Sequence, residues 1–360
     1  MAGHLNGAFR EKVSPFLGEQ YARVARRGGA EATVLRRQYL RDDREALPAS
    51  GERSRHYEAG VAVDHEGQTL QGVERLYAQT IVLLLTTVCA AHCRWCLRGL
   101  YDPASMSDDA IRAAARYCGA NPEIREVVVT GGDPLMVPAR LAAVLHEFAR
   151  HAPRVRTFRI GTRVPLQDPA RIDASLVRWL SGNVDRLEMA FHINHEAELF
   201  PEVTDALVRI LQTGVTSYGH VVLLKGLNDS VGALTDLGER LRDLRIQPHY
   251  LFHCVPMLGM GHHRTSVARG HELYRAVFTS GVLSGRSRPT YALMTDVGKI
   301  PLHEGAILAR DGERILLQSS FSYADRVRYN PTWSLPESAS VDEHGSLRVW
   351  YQDGRDDEQA

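Results

Sequence analysis

Thr80-Ile81-Val82-Leu83-Leu84-Leu85-Thr86-Thr87-Val88-Cys89-Ala90-Ala91-His92-Cys93-Arg94-Trp95-Cys96 is a β-branched and aliphatic run that leads directly into three thiols. The run from Ile81 to Thr86 reads as a buried strand, and its length is far short of the roughly 20 apolar residues that cross a bilayer. The same rhythm continues outward from it. Short strands are expected at Glu126 to Thr130, Thr157 to Ile160, Leu187 to Phe191, His220 to Leu224, His249 to Phe252 and Tyr291 to Met294. Helical periodicity falls between them, at Asp108 to Tyr117, Pro138 to His151, Ala174 to Leu180, Thr204 to Gln212, Val231 to Leu244 and Val267 to Thr279. Strand and helix in alternation mean βα units around a parallel sheet. Six or seven units curl into a complete or partial barrel whose active site lies at the C-terminal strand ends. The fold class is therefore α/β, a partial (β/α) barrel over residues 76–301. Residues 1–75 are expected to be an N-terminal helical region, with helical signals from Ala8 to Arg26 and Glu31 to Arg44. Residues 302–360 are expected to be a short β extension, with strands at Arg314 to Gln318 and Ser346 to Tyr351 and a disordered acidic end from Asp353 to Ala360.

The 360 residues carry 43 basic and 43 acidic side chains. A net charge of zero lacks the one-signed field of a nucleic-acid or membrane-surface binder, so the expected partner is a small molecule. The stretch from Met1 to Lys12 shows no signal-peptide core, and five cysteines in this length do not suggest a disulfide framework, so a reducing cytoplasm is expected. Lysine is scarce. Only Lys12, Lys225 and Lys299 are available for chemistry that needs a primary amine.

Cys89, Cys93 and Cys96 are separated by three and then two residues. Three thiolates on one loop can hold an iron–sulfur cube and leave one iron open for a ligand. A structural zinc site is the alternative, with His92 as a fourth ligand. The loop resembles that of the radical S-adenosylmethionine superfamily, which has this spacing and an aromatic residue before the last cysteine, here Trp95. Thr130-Gly131-Gly132-Asp133-Pro134 is similar to the superfamily segment that contacts the amino group of S-adenosylmethionine. Two glycines would let backbone approach the ligand, and an acid suits its ammonium.

Four further segments resemble the lysine 2,3-aminomutase family: Arg159 to Pro165, Phe191 to His195, Leu223 to Asp229 and His262 to Thr265. With the region around Lys299, the similarity runs in order from about Glu74 to Pro301. The resemblance implies a [4Fe-4S] cluster, S-adenosylmethionine and pyridoxal 5′-phosphate as cofactors, and an electron donor such as flavodoxin or ferredoxin. It implies that Cys89, Cys93 and Cys96 hold the cluster. Trp95, Gly131, Gly132, Asp133, Arg163 and His192 would contact S-adenosylmethionine, and Lys299, in Asp296-Val297-Gly298-Lys299, would hold pyridoxal phosphate covalently. Arg98 matches the arginine for the substrate carboxylate, where a planar guanidinium can make two hydrogen bonds. Arg75 matches the family's phosphate-binding arginine only with a one-residue shift, and His220 stands where the family has glutamine.

The activity implied is transfer of an α-amino group to the adjacent carbon of an amino acid. A variant ending in elimination or oxidation shares the same cofactors, and a zinc-binding structural module is the reading of a different class. Ser230 stands where the family has a zinc-binding cysteine, and no cysteine follows Cys254, so the family's zinc is not expected and the homo-oligomer it accompanies is left open. Of the two aspartates that grip the distal ammonium of lysine in the family, Asp296 matches one and Val255 replaces the other. One carboxylate suits a guanidinium best, which orders the expected substrates as arginine and then lysine, with a neutral or acidic amino acid as the alternative should Asp296 be only a turn residue before Gly298.

Overall fold

A computed structural model describes residues 11–46, 62–99 and 104–356. Ten strands form one sheet in sequence order: β1 (Ala62–His65), β2 (Gln68–Arg75), β3 (Thr80–Thr86), β4 (Glu126–Gly131), β5 (Thr157–Thr162), β6 (Leu187–His192), β7 (Thr216–Leu223), β8 (Gln247–His253), β9 (Thr290–Thr295) and β10 (Gly298–Pro301). Every pairing from β3 to β9 is parallel. The hairpin β1–β2 adds antiparallel to β3 at one edge, and β10 turns back along β9 at the other. The sheet order does not close on itself among the described residues, and one cavity touches every strand from β3 to β10, so the sheet is curled but open. This is the partial barrel the alternation predicted.

The two faces of the strands differ in composition. Ile81, Leu83, Val127, Val129, Phe158, Ile160, Met189 and Phe191 point outward and are wholly buried. Each such side chain contributes on the order of 1.5–3 kcal/mol when taken from water. They lie under a helical layer of α3 (Asp108–Ala120), α4 (Pro138–His151), the single turn α5 (Val164–Gln167), α6 (Ala174–Ser181), α7 (Pro201–Leu211), α8 (Val231–Asp243) and α9 (Val267–Phe278) once the two N-terminal helices are set aside. Ser107, Asp173, Ser230 and Ser266 start four of these helices by accepting a backbone N–H from the first turn. The inward-facing residues Thr80, Val82, Glu126, Val128, Arg159, His192 and His220 are only partly buried, because they face the cavity.

Two N-terminal helices, Pro15–Arg27 and Ala30–Tyr39, precede the sheet. The expected helical region is otherwise corrected, since residues 62–75 are the β1–β2 hairpin and Asp43–Ala46 is a 3-10 turn. Residues 1–10 lie outside the described residues. The C-terminal extension is a four-stranded antiparallel sheet of β11 (Ile307–Asp311), β12 (Arg314–Ser322), β13 (Ala339–Val341) and β14 (Ser346–Gln352), in the order β11-β12-β14-β13, with a helix at Tyr323–Tyr329. The expectation of a disordered end from Asp353 is also corrected. Asp353 accepts the Val267 N–H at 2.7 Å, and Asp356 accepts both the N–H and the hydroxyl of Ser266, so this segment caps α9. Residues 357–360 lie outside the described part. No helix among the described residues is long and apolar enough to cross a membrane.

Candidate active site

The cysteine loop leaves the C-terminal end of β3 and is held from above by the N-terminal segment. His92 N–H donates to the Lys12 carbonyl and Arg94 N–H to the Gln38 carbonyl, each at 2.8 Å. Lys12 Nζ donates to the Cys89 carbonyl at 2.6 Å, and Arg94 forms a buried ion pair with Glu45. Gln38 is fully buried, and its Oε1 accepts Trp95 Nε1 at 3.2 Å. Cys89, Cys93 and Cys96 all line the cavity, whose volume is about 430 Å³, whereas His92 does not.

Two sulfurs already receive N–H groups: Gln167 Nε2 lies 3.3 Å from Cys93 Sγ and Arg98 N 3.4 Å from Cys96 Sγ. Burial pushes all three thiols up, Cys93 to about 12, so metal binding here releases protons. Three free thiols on one wall, with N–H donors at two of them, fit an iron–sulfur cluster.

The end of β4 seats against the root of that loop. A Cβ on Gly131, whose φ is +127°, would lie 2.0 Å from the Thr86 carbonyl oxygen, and one on Gly132 would lie 2.4 Å from that of Val88. Both glycines line the cavity, but the close approach that demands them is backbone to backbone rather than backbone to ligand. Asp133 is likewise occupied by the fold. Its carboxylate accepts the N–H groups of Leu135, Arg163 and Val164 and the Thr162 hydroxyl, which ties β4 to β5. Burial raises its pKa to about 6 against the pull of those donors.

Arg163 lines the cavity while bonded to Glu198, Tyr39 and the His192 carbonyl, and its guanidinium lies over the Trp95 ring. Arg98 and His192 also line the cavity. Lys299, on β10, is the only one of the three lysines that does. Its Nζ sits 3.9 Å from the centre of the Tyr250 ring and 5.3 Å from that of Phe252. An amine walled by aromatic rings fits the attachment point of an aldehyde cofactor.

Asp296 is not brought to the cavity. It sits in the β9–β10 turn, and its carboxylate accepts the Ser338 hydroxyl from the C-terminal extension, while Val255 does line the wall. Arg75 also points elsewhere, to Tyr117, Glu123 and the Ala78 carbonyl, and does not line the cavity, so it is not placed as a phosphate ligand. Gln38, Tyr39, Gln167 and Glu198 were not singled out from the sequence. Isolated glutamines and glutamates carry no spacing signal.

A curled parallel sheet with three cysteines at the end of its first parallel strand defines a radical S-adenosylmethionine protein, and the profile of the Radical SAM superfamily matches residues 83–237. That superfamily carries a [4Fe-4S] cluster and S-adenosylmethionine. A putative L-lysine 2,3-aminomutase of Aquifex aeolicus is 31% identical over 263 residues, covering 72% of this chain and 70% of that protein. The L-lysine 2,3-aminomutases of Fusobacterium nucleatum and Clostridium subterminale are each 30% identical, over 71% and 72% of this chain. The chain belongs to the lysine 2,3-aminomutase family. Its matched part spans 61% and 64% of the length of the latter two relatives. Among solved structures, a radical SAM methyltransferase from Sphaerobacter thermophilus aligns with a TM-score of 0.46 at 18% identity, over 79% of this chain and 96% of that one.

Proposed function

We propose that this chain is an amino acid 2,3-aminomutase, an isomerase that uses the cluster, S-adenosylmethionine and pyridoxal phosphate together. The observation that carries this reading is that the three thiols and Lys299 line one cavity. When bound, the cluster and S-adenosylmethionine supply a carbon radical, and pyridoxal phosphate holds the substrate nitrogen. The residues of the chain do the rest. Lys299 Nζ provides the covalent anchor, and Arg98 fixes the substrate carboxylate, which sets Cα and Cβ relative to the cluster wall. Trp95, Arg163 and His192, which line the cavity as one contiguous patch, exclude water from it. An external flavodoxin or ferredoxin supplies the electron.

An α-amino acid is the substrate class, with arginine and then lysine as the first to test. A cationic side chain would require Asp296 to leave Ser338 and turn inward. The test is anaerobic incubation of the iron-loaded chain with S-adenosylmethionine, pyridoxal phosphate, a reductant and one amino acid at a time, including glutamate and alanine. Formation of 5′-deoxyadenosine together with a β-amino acid is the expected result. A keto acid and ammonia in place of a β-amino acid would overturn the isomerase reading. Zinc bound at the three cysteines and no iron would overturn the whole of it.

A further inference from the structure

Three histidines stand in a row across the inner face of the sheet, on successive strands. His192 Nε2 lies 3.4 Å from His220 Nδ1, and His220 Nε2 lies 3.1 Å from His249 Nδ1. The third member depends on a local irregularity. Gly219 pairs with Pro248 but His220 pairs with Tyr250, so His249 is an extra residue in β8. Such a bulge re-aims side chains, and here it turns both His249 and Tyr250 toward His220, with ring centres at 5.2 and 5.5 Å. The row begins at His192, which lines the cavity with Lys299 and whose Nδ1 is buried without a hydrogen-bond partner. It ends at His249, whose ring lies 5.0 Å from that of Tyr218. Below this lie Glu188, which accepts the Tyr218 hydroxyl, and Arg159, which bridges Glu188 and Glu126 near the starts of their strands.

We propose that His192, His220 and His249 are a proton relay that leads from the cofactor cavity at His192 to His249, which does not line that cavity. This rests on the aminomutase reading, because an α-amino acid arrives as an ammonium and its nitrogen would have to lose a proton before it could displace the Lys299 nitrogen from the cofactor's aldehyde carbon, with Lys299 leaving as the free amine. The relay balances without a charged resting state. His192 Nδ1 takes the proton, His192 Nε2–H passes one to His220 Nδ1, His220 Nε2–H passes one to His249 Nδ1, and the half-buried His249 releases one from Nε2 to solvent water. All three rings are neutral before and after. The charges that face them oppose a stable imidazolium: Arg98, Arg163 and Lys299 toward His192, Arg159 and Lys299 toward His220 and His249. Burial acts in the same sense and is the larger cause, holding His192 at about 3 and His249 at about 4.

The test separates relay from packing. In the full chain loaded with pyridoxal phosphate and without S-adenosylmethionine, the exchange of Lys299 for a substrate amine is followed by absorbance from pH 6 to 10 in wild type, His220→Gln and His249→Phe. Glutamine keeps a donor and an acceptor but cannot relay. Both variants should slow exchange at neutral pH by at least about 10-fold, the low end of proton-transfer effects or below, and the gap should close as the substrate's own ammonium deprotonates. A second reading uses no cofactor. Nitrogen-15 NMR of the histidines should show all three neutral at pH 7 and a changed tautomer balance at His192 in His249→Phe. Normal exchange in His220→Gln, an unmoved His192 tautomer, or zinc shifting all three rings together would each overturn the relay. Failure of the chain to bind pyridoxal phosphate would instead remove the aminomutase reading.

Discussion

Replacing Gln38 by Met tests whether the N-terminal helices are part of the active site. Methionine keeps the volume and the backbone carbonyl that Arg94 uses, and removes only the amide. In the native chain Gln38 Oε1 accepts Trp95 Nε1 at 3.2 Å, Asn194 Nδ2 at 3.0 Å and Arg163 Nη2 at 3.4 Å. Arg163 keeps Tyr39, Glu198 and the His192 carbonyl, so the two donors stranded are those of Trp95 and Asn194. A buried donor left unsatisfied costs about 1–3 kcal/mol, which gives about 2–6 kcal/mol for two. The substitution also removes Gln38 Nε2, itself buried without a partner, which returns about 1–3 kcal/mol. The net expectation is a loss of about 1–3 kcal/mol, concentrated at the cysteine loop. Urea unfolding of the full chain measures the first part, and iron retained per chain after gel filtration measures the second. An unfolding free energy within about 0.5 kcal/mol of wild type, the range of an ordinary surface change, with iron fully retained, would refute the assignment of Gln38 as the brace of the loop.

Gly131→Ala should destabilise the chain by about 2–5 kcal/mol, from a φ that L residues avoid and a Cβ driven to 2.0 Å from the Thr86 oxygen; thermal unfolding with wild-type stability would contradict that contact. Cys93→Ala should abolish S-adenosylmethionine cleavage and leave substoichiometric iron, read by 5′-deoxyadenosine and iron assays. Lys299→Ala should retain iron yet lose all borohydride-fixed pyridoxyl label, and label found on Lys225 would move the cofactor. Acid sensitivity follows from six histidines, His192, His220, His249, His253, His262 and His263, whose folded pKa values are depressed chiefly by burial. The unfolded chain binds the protons that the native rings refuse, so their contribution to stability is present above about pH 6.5 and is lost as pH falls toward about 4. The urea midpoint should be level above pH 7 and fall steeply below 6, and a flat profile down to pH 5 would count against those burials.

The parallel strands were legible because each carries a β-branched run whose outward positions had to be apolar. Ile81, Leu83, Val127, Val129, Phe158 and Ile160 are those positions, and no helical period accommodates them. The three thiols were singled out by their spacing and Lys299 by the family resemblance of its segment and the scarcity of lysine, and all four line one cavity. Other features had no local signal. The β1–β2 hairpin is antiparallel and short, and its sequence, Gln68-Thr69-Leu70-Gln71, has no apolar stripe. The bulge at His249 is a matter of register between two strands, and register is invisible in either strand alone. Gln38 is a single amide whose importance comes from three donors distant in sequence. Whether Asp296 faces a ligand or, as here, Ser338 had no local signal either, because a carboxylate at a turn looks the same in both cases.

An open barrel faces a difficulty that a closed one avoids: the cysteine strand β3 and the lysine strand β10 belong to opposite regions of a sheet that nothing in the strand pairing joins. The C-terminal extension supplies the join. Arg326, from the helix after β12, is buried and donates to the Leu76 carbonyl beside the β2–β3 edge at 3.2 Å, and also to the Val297 carbonyl in the β9–β10 turn. Gly298 makes room for it, since a Cβ there would meet Arg326 Nη2 and Phe321 at 2.9 Å, and the φ of +115° suits glycine alone. One guanidinium therefore links the β2–β3 and β9–β10 turns, two residues before Lys299. The glycine before Lys299 serves that link. The last sixty residues thus reach the turn before Lys299 through Arg326 and through Ser338 on Asp296, although among the residues lining the cavity none comes from beyond Lys299.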